Sequence, residues 1–361
     1  MSQITIRLKE KARSYRIVVK KGIFSELPER ILSLKKNPTG TLIVTDKNLY
    51  RLYGKKLRKI LRRKMNNVDF FVFPPGERTK SLVSLQKLFR FLVKKKFDRK
   101  SILIAFGGGV IGDITGFAAA SFMRGIGHIQ VPTSLMSQVD SSVGGKTGVN
   151  MAEGKNLIGA FYQPEAVFVD PDLLKTLPEK EFRSALSEVV KYGIIMDRSF
   201  FALLEKKASL IIRRDASFME KIIGRCLGFK SRIVMKDEKE SGIRAVLNLG
   251  HTFAHAFETL SEYKKLSHGQ AVGRGIVIAS RIAFSKGWMR ADDVKRIEKL
   301  FQAFGLSLSC RPKNFSQFIR VMGADKKSLM KKNCFVLPKA IGRVTLTDDV
   351  SVSEIRKAFF G

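Results

Sequence analysis

Residues 101–123 constrain the fold more than any other part of the chain. They read SILIAFGGGVIGDITGFAAASFM and contain a single charged residue, Asp113. Their length and apolar character are those of a membrane span, but three consecutive glycines make a poor helix centre, costing about 1 kcal/mol each relative to alanine. A strand, a glycine turn and a buried helix fit the pattern better. We therefore predict a βα unit here and no membrane partner.

Strand and helix patterns alternate through the first half of the chain. Residues 81–96 repeat apolar side chains at spacings of three and four, which predicts an amphipathic helix. Strands separated by helices indicate an open, mostly parallel α/β sheet, on which ligands bind outside the carboxyl ends of the strands. The predicted strands are residues 15–20, 41–46, 68–73, 101–106, 128–133 and 166–170.

The pattern changes near residue 178. Nearly every window from 179 to about 323 predicts helix, a short β pattern returns at 333–347, and a final helix covers 351–360. We therefore predict an α/β nucleotide-binding domain over residues 1–178 and a mainly helical domain over 179–361. A site between two domains is a common arrangement.

Charge and cysteine usage narrow the class of protein. The 67 basic and 32 acidic residues give a formal net charge of +35, and residues 1–100 hold 28 of the basic and 7 of the acidic side chains. Runs of basic residues are usually solvated helix faces, so we predict no specific nucleic-acid partner. Three cysteines without metal or disulfide spacing, and an N-terminus without an apolar core, favour a cytoplasmic protein.

The glycine turn at residues 107–112 formally satisfies the pattern G-x-G-x-x-G between a strand and a helix. Backbone N–H groups at such a helix start can hold a pyrophosphate. The standard fingerprint adds an acidic residue about 20 positions on, whereas the first acidic residue after Asp113 is Asp140. Asp46, at the end of an earlier strand, could bind ribose instead. A tight structural turn is the alternative interpretation.

A second glycine-rich loop, residues 140–148, reads DSSVGGKTG. A nucleotide-binding P-loop requires glycine where this chain has Asp140, so the NTPase interpretation fails. The loop still presents Lys146 to a possible anion. Together with Lys155 and Asn156 just downstream, this loop could bind a polyhydroxylated anion.

Histidine is the most informative residue type, because three of only four histidines fall within residues 251–268. His251 and His255 are four apart and share one helix face. A catalytic divalent metal commonly has three N or O ligands. Spacing nominates His251 and His255 with either His268 or Glu258, and does not decide between the last two.

Further polar residues accompany these histidines. Glu188 and Lys191 lie three apart on one helix among apolar neighbours, where a salt-linked helix surface is the simpler interpretation. Arg244 and Asn248 precede His251 by seven and three positions. Lys230 and the basic residues at 326–327 could complete an anion pocket.

These segments together resemble the 3-dehydroquinate synthase family of sugar-phosphate cyclases. The most specific are QVDSSVGGKTGVN at 138–150 and LNLGHTFAHA at 247–256. Others are PGERTKS at 75–81, GGGVIGDITGF at 107–117, FMRG at 122–125, GKNLIGAFYQP at 154–164, LKTLP at 174–178, SEVVKYG at 187–193 and HGQAV at 268–272.

The resemblance implies an α/β domain that binds NAD and a helical domain that binds a divalent metal, zinc or cobalt, and substrate. It implies conversion of 3-deoxy-D-arabino-heptulosonate 7-phosphate into 3-dehydroquinate and phosphate, a step of the shikimate pathway. The route is transient oxidation, phosphate elimination, re-reduction, ring opening and intramolecular aldol closure. A cytoplasmic homodimer is expected.

The resemblance also implies roles for individual residues. The metal ligands become Glu188, His251 and His268, and His255 moves to the substrate side. The implied substrate contacts are Arg124, Asp140, Lys146, Asn156, Lys191, Lys230, Arg244, Asn248, His255 and, of the late basic pair, Lys326. The implied NAD contacts are Asp46, Asn48, Pro75, Gly76, Glu77, Arg78, Thr79, Lys80, Gly108, Gly109, Val110, Ile111, Gly112, Asp113, Thr133, Ser134, Lys146, Lys155, Leu173, Leu174, Lys175 and Thr176.

One departure from the family pattern concerns the metal. Gln270 stands where the motif H-G-E-A-V usually has glutamate. If that glutamate supports the metal ligands, the metal affinity of this chain would be lower.

Three alternatives remain at this stage. Another sugar-phosphate cyclase would act on a neutral seven-carbon sugar phosphate or on glucose 6-phosphate. A metal-dependent alcohol or glycerol dehydrogenase would share the glycine turn and the helical metal domain. The segment at 138–150 is evidence against the dehydrogenase alternative. A basic nucleic-acid-binding protein has no supporting motif in the sequence.

Overall fold

The computed structural model describes residues 14–34, 38–261, 266–309, 312, 314–329 and 334–360, with the backbone alone described at 324–329. Residues 101–123 form the predicted unit of strand, glycine turn and helix. Within the described ranges, no helix is both long and apolar enough to cross a lipid bilayer.

Six parallel strands form the central sheet, and each lies where the sequence predicts a strand. Sequence periodicity succeeds here because buried parallel strands are near-continuous apolar runs. The strands are β1 (Arg16–Val19), β2 (Thr41–Asp46), β3 (Val68–Phe73), β4 (Ile102–Gly107), β5 (Gly127–Pro132) and β8 (Ala166–Val169). Their order in the sheet is β1-β8-β5-β4-β2-β3.

The chain reverses its direction of travel across the sheet between β2 and β4. It moves outward from β2 to β3, then returns to place β4 on the other side of β2. Ligands of open α/β sheets bind at the carboxyl ends of the strands beside such a switch point. Asp46 and the glycine turn at 107–112 follow these two neighbouring strands.

Helices cover both faces of the sheet. Ile104 and Phe106 of β4 pack in one apolar cluster, while Leu103 and Ala105 pack in another on the opposite face. This alternation is the two-residue period of a strand. The helices of this part are α1 (Leu27–Leu34), α2 (Lys47–Leu61), α3 (Leu82–Lys94) and α4 (Gly109–Ser121).

A small antiparallel hairpin lies between β5 and β8 and was not predicted. It pairs β6 (Lys146–Val149) with β7 (Ile158–Phe161), so Lys146 stands opposite Phe161. Its four-residue strands contain two glycines and one lysine, and they carry no alternating apolar signal. The hairpin packs on α4 and places the loop 150–157 beside the carboxyl edge of the sheet.

From residue 179 the chain is mainly helical, as predicted, and packs around one large apolar cluster. The hairpin of β9 (Phe335–Ala340) and β10 (Arg343–Thr347) and the closing helix also agree with the predicted positions. The helices are α5 (Glu179–Met196), α6 (Arg198–Lys206), α7 (Ala208–Ile212), α8 (Ala216–Lys236), α9 (His251–Leu260), α10 (His268–Ser285), α11 (Ala291–Ala303), α12 (Phe315–Leu329) and α13 (Val352–Phe360).

Candidate active site

Most of the residues implied as cofactor contacts share the carboxyl edge of the parallel sheet. Each group lies at or after the end of a strand. Asp46 ends β2 and Asn48 follows it, residues 75–80 follow β3, residues 108–113 follow β4, Thr133 and Ser134 follow β5, and residues 173–176 follow β8. Because all six strands run the same way, the topology brings these distant segments to one edge.

The glycine turn forms a shallow cradle at the start of α4. Gly108 caps the helix with extended backbone, and a Cβ there would lie 3.3 Å from Ser134 Oγ. A Cβ on Gly109 would lie 3.1 Å from Ser141 Oγ. Free N–H groups and the helix dipole make this a site suited to phosphate. The residues present therefore fit a nucleotide pyrophosphate.

Asp46 has a structural task at the neighbouring strand end. Its Oδ1 accepts hydrogen bonds from the backbone N–H groups of Asn48, at 2.8 Å, and Leu49, at 3.1 Å. Asp46 thereby caps α2, and this holds its carboxylate at the carboxyl edge beside the glycine cradle.

Lys80 joins the cofactor edge to the loop after β6. Its ammonium group, 6% exposed, donates to Asp113 and to the Asn156 side chain. Burial raises the pKa of Asp113 above its ordinary value, against the opposing effect of Lys80. Asn150 Nδ2 donates to Glu77 Oε1 at 2.7 Å, which adds a second link between the loop and the edge.

Three helices bring Glu188, His251 and His268 together. One ligand atom from each lies within 4.8 Å of the others, and Glu188 Oε1 is 3.7 Å from Nε2 of both histidines. Among the described residues, this buried oxygen accepts no hydrogen bond. A carboxylate and two imidazoles around an unpaired oxygen fit a divalent metal with an open coordination position.

Glycines let these helices approach closely enough for that cluster to form. A Cβ on Gly269 would lie 1.8 Å from the backbone oxygen of Ser184 in α5, and a Cβ on Gly275 would lie 2.0 Å from the oxygen of Gly250. Any side chain at either position would push α10 away from α5 or from the start of α9. The cluster therefore depends on α10 packing directly against backbone.

The surroundings shift the pKa values of the two histidines in opposite directions. Burial, together with the charge of nearby Lys191, holds the pKa of His251 well below its usual value, so its ring is neutral and can ligate. Desolvation alone would lower the pKa of His268, but the hydrogen bond that its ring donates to Glu258 and the charge of Glu188 raise it. His268 Nδ1 lies 3.4 Å from each Glu258 oxygen.

Two sequence interpretations change here. The structure assembles the cluster that the resemblance implies, whereas His255, nominated by spacing, lies outside it with its ring centroid 6.0 Å from that of His251. Glu188 and Lys191 are ion-paired but only 1% and 2% exposed, so interpreting them as a surface salt link was wrong. Periodicity cannot show that a polar helix face turns inward.

A buried polar network adjoins the cluster. Lys230 Nζ lies 2.7 Å from Asp140 Oδ1 and also donates to the Asp140 backbone oxygen, and Tyr192 donates to Asp140 at 2.6 Å. Burial would raise the pKa of Asp140, but Lys230 and Lys191 hold it far below its ordinary value. Asp140 thus stays ionised and holds the Lys230 ammonium group and the Tyr192 hydroxyl in place. Tyr192 was missed, because a lone tyrosine in an apolar helix carries no sequence signal.

The glycine-rich loop at 144–146 meets Arg244. The guanidinium, 3% exposed, donates to the Gly144 oxygen at 3.3 Å and to the Glu238 backbone oxygen. Lys146 is ion-paired with Glu240, which also accepts from Asn248 at 2.8 Å. Desolvation, with the charges of Arg244 and Lys230, lowers the pKa of Lys146 to about 8. Glu240, which sequence reasoning missed, thus organises two implied substrate contacts.

One implied substrate residue lies away from this cluster, and the side chain of another is not described. Arg124 is exposed and follows the C-terminal end of α4, just before β5 begins, so it lies at the opposite edge of the sheet. The side chain of Lys326 lies outside the described residues. Both contacts stay predictions.

The chain matches two families over consecutive ranges. Residues 70–184 match the family described as 3-dehydroquinate synthase N-terminal, and residues 185–328 match 3-dehydroquinate synthase C-terminal.

Solved structures share the architecture. The 2-epi-5-epi-valiolone synthase of Streptomyces hygroscopicus subsp. jinggangensis 5008, with NAD⁺ and Zn²⁺ bound, is 26% identical with a TM-score of 0.87, covering 98% of each chain. A 2-deoxy-scyllo-inosose synthase complexed with carbaglucose-6-phosphate, NAD⁺ and Co²⁺ is 23% identical with a TM-score of 0.83, covering 95% of each. A glycerol dehydrogenase from Schizosaccharomyces pombe, at 17% identity and a TM-score of 0.65, covers 97% of this chain and 90% of its own.

The fold and these matches define the protein as a sugar-phosphate cyclase. The chain belongs to the 3-dehydroquinate synthase family, whose two halves it matches over most of its length.

Proposed function

We propose that the protein is a 3-dehydroquinate synthase, a carbon–oxygen lyase that converts 3-deoxy-D-arabino-heptulosonate 7-phosphate into 3-dehydroquinate and phosphate. One observation carries the proposal: the cluster of Glu188, His251 and His268 lies beside a group of buried cations. A substrate with a phosphate and a carboxylate needs several fixed positive charges. Lys191, Lys230 and Arg244 supply them.

We propose NAD and a divalent metal, zinc or cobalt, as cofactors. The valiolone synthase is described with NAD⁺ and Zn²⁺, and the inosose synthase with NAD⁺ and Co²⁺. In this chain, the glycine cradle at 108–109 would hold the pyrophosphate, and Glu188, His251 and His268 would hold the metal. When bound, NAD exchanges a hydride with the substrate, and the metal lowers the pKa of the alcohol that is oxidised.

The residues of the chain bind and orient the substrate around that chemistry. Lys146 and Arg244 attract its anionic groups, and Asp140 holds Lys230 and Tyr192 in fixed positions. Fixed charges in a buried pocket stabilise developing negative charge without reorganisation. His255 lies beside the metal cluster, where it can transfer protons during ring opening and aldol closure.

Following both products tests the proposal. Phosphate and 3-dehydroquinate should form in equal amounts, activity should stop with a chelator and return with Zn²⁺ or Co²⁺, and no net NADH should accumulate. Enzyme stripped of nucleotide should need added NAD. Full turnover without metal or NAD would overturn the mechanism.

Another sugar-phosphate cyclase is the second candidate, because the chain is also similar to the valiolone synthase and the inosose synthase described above. Lys230, Arg244 and Lys326 favour a substrate with a carboxylate. Assaying phosphate release from 3-deoxy-D-arabino-heptulosonate 7-phosphate, from a neutral seven-carbon sugar phosphate and from glucose 6-phosphate separates the two. A metal-dependent alcohol or glycerol dehydrogenase would instead release NADH in proportion to substrate.

We also propose the division into domains at residues 1–178 and 179–361, a homodimeric state, a role in the shikimate pathway and a cytoplasmic location. The change from alternating strands and helices to helices near residue 178 supports the first. The others rest on the family resemblance.

A further inference from the structure

The loop after β6 contacts both halves of the site. We name residues 150–157 the strap. On one side, Asn150 donates to Glu77, and Asn156 accepts from Lys80. On the other side, the neighbouring Lys155 places its Nζ 3.5 Å from Glu258 Oε1 in α9. Adjacent residues of one short loop thus contact the cofactor edge and the helical part.

The strap is held in a defined shape. The backbone N–H of Asn156 donates to Asn150 Oδ1 at 2.9 Å, and the N–H of Asn150 donates to the Lys80 oxygen at 2.9 Å. Asn156 has a φ of +57°, a left-handed conformation that asparagine adopts more readily than most residues. This conformation lets Lys155 and Asn156 contact opposite partners.

Glu258 stands between the strap and the metal cluster. It is 5% exposed, and both of its oxygens lie 3.4 Å from His268 Nδ1. A carboxylate on Nδ1 orients the ring and directs Nε2 outward. That Nε2 is the atom 3.7 Å from Glu188 Oε1.

Gln270, where the family motif usually has glutamate, does not take this position. Its Oε1 accepts from the Ser267 N–H at 3.1 Å and from Ser267 Oγ at 3.0 Å, as part of a capping box at the start of α10. The carboxylate that contacts His268 Nδ1 is therefore that of Glu258, from a different helix.

We propose that Glu258 is a positioning residue for His268, and that Lys155 couples it to the strap, so that NAD binding at the cofactor edge tightens metal binding. NAD contacts at Glu77 and Lys80 would fix the two residues that the strap contacts, the strap would hold Lys155 on Glu258, and Glu258 would orient His268. Coupling between two sites is reciprocal, so metal should tighten NAD binding by the same factor. The proposal rests on the proposed function.

The test titrates Co²⁺ into metal-free enzyme, with and without saturating NAD, and follows the Co²⁺ d–d absorption bands. In the unmodified protein, NAD should tighten Co²⁺ binding by about 5-fold or more. Glu258→Leu should weaken Co²⁺ binding by about 10- to 100-fold and change the band shape. Glu258→Gln keeps an acceptor but loses the charge, so its loss should be smaller.

Variants of Lys155 test the coupling between NAD and metal separately from the positioning of His268 by Glu258. Because Lys155 is also an implied NAD contact, NAD is first titrated into Lys155→Met and then held at a concentration that saturates this variant. Under that condition NAD should no longer tighten Co²⁺ binding. Lys155→Arg keeps the ion pair and should keep the coupling. Matched controls are Glu205→Gln and Lys64→Met, which break ion pairs elsewhere on the molecule. They should change neither the Co²⁺ affinity nor the effect of NAD on that affinity.

The outcomes distinguish the two proposals. If the unmodified protein binds neither Co²⁺ nor NAD, the proposed function fails. If it binds both, but Glu258→Leu binds Co²⁺ normally with an unchanged spectrum, the positioning role is wrong. If Lys155→Met retains the full NAD effect, the strap does not carry the coupling. Thermal unfolding of each variant separates these results from loss of fold.

Discussion

Lys146 is a cation of the site whose charge changes close to neutral pH. Its pKa falls to about 8 through desolvation and the neighbouring charges of Arg244 and Lys230. A lysine with a lowered pKa still carries its charge below that value and loses it above. The attraction of Lys146 for an anionic substrate should therefore weaken on the alkaline side of neutrality.

The first prediction concerns this titration. The kcat/KM for the phosphate substrate should fall as pH rises through about 8, because Lys146 becomes neutral. Lys146→Arg keeps its charge throughout, so its profile should lack that fall, while Lys146→Met should be slow at all pH values. An unchanged inflection in Lys146→Arg would assign the titration to another group.

The second prediction separates the two interpretations of the histidines. His268→Ala should bind less than one equivalent of Zn²⁺ and lose turnover, since it removes an atom of the cluster. His255→Ala should keep its metal and lose turnover alone. Metal content by atomic emission and product formation together decide the matter. Full metal occupancy with full activity in His268→Ala would refute the assignment.

At the scale of elements, one helix cap is also a residue that the family resemblance implies as an NAD contact. Asp46 accepts two backbone N–H bonds at the start of α2, and Asp215 similarly accepts from the N–H of Phe218, at 2.8 Å, at the start of α8. Both caps stabilise helices through the same bond. Only the Asp46 cap lies at the carboxyl edge beside the glycine turn.

The third prediction follows from this pairing. Asp46→Ala and Asp215→Ala should each lower the free energy of unfolding by about 1 kcal/mol, measured by urea denaturation. Asp46→Ala should also weaken NAD binding by calorimetry, whereas Asp215→Ala should not. Equal NAD affinities in the two variants would remove Asp46 from the cofactor site.

Sequence periodicity was a good guide to whole elements and a poor one to the β6–β7 hairpin. The apolar run of β4 and the stripe of α3 are local signals that tertiary packing reinforces. The hairpin strands, four residues each, lie on a loop whose conformation depends on α4 and the sheet. Lys146 was identified from its loop motif, but its ion pair with Glu240 was not.

At the scale of the whole molecule, the position of Arg124 at the amino edge of the sheet bears on whether the chain forms an oligomer. Arg124 follows the far end of α4, about 20 Å along the helix from the glycine turn. Within one chain it stands apart from the pocket. If it contacts substrate as the resemblance implies, a second copy of the chain must present it.

The fourth prediction is therefore a homodimer. Sedimentation equilibrium should give twice the chain mass of 40.6 kDa. Arg124→Ala should raise KM with little change in that mass, because it removes a substrate contact. A monomer with full activity would contradict both the dimer and the role of Arg124.

Sequence motifs were enough to predict the family, the parallel sheet and most of the residue types at the site. Strands, turns and phosphate-binding loops depend mainly on residues that are close together in the sequence. Folding alone decided which polar groups meet. Glu188, His251 and His268 lie on three helices, and their convergence requires α10 to pack against the backbone of α5 and Gly250. Tyr192, Glu240 and Glu258 gained their roles the same way, since contacts between distant segments depend on packing that no local pattern encodes.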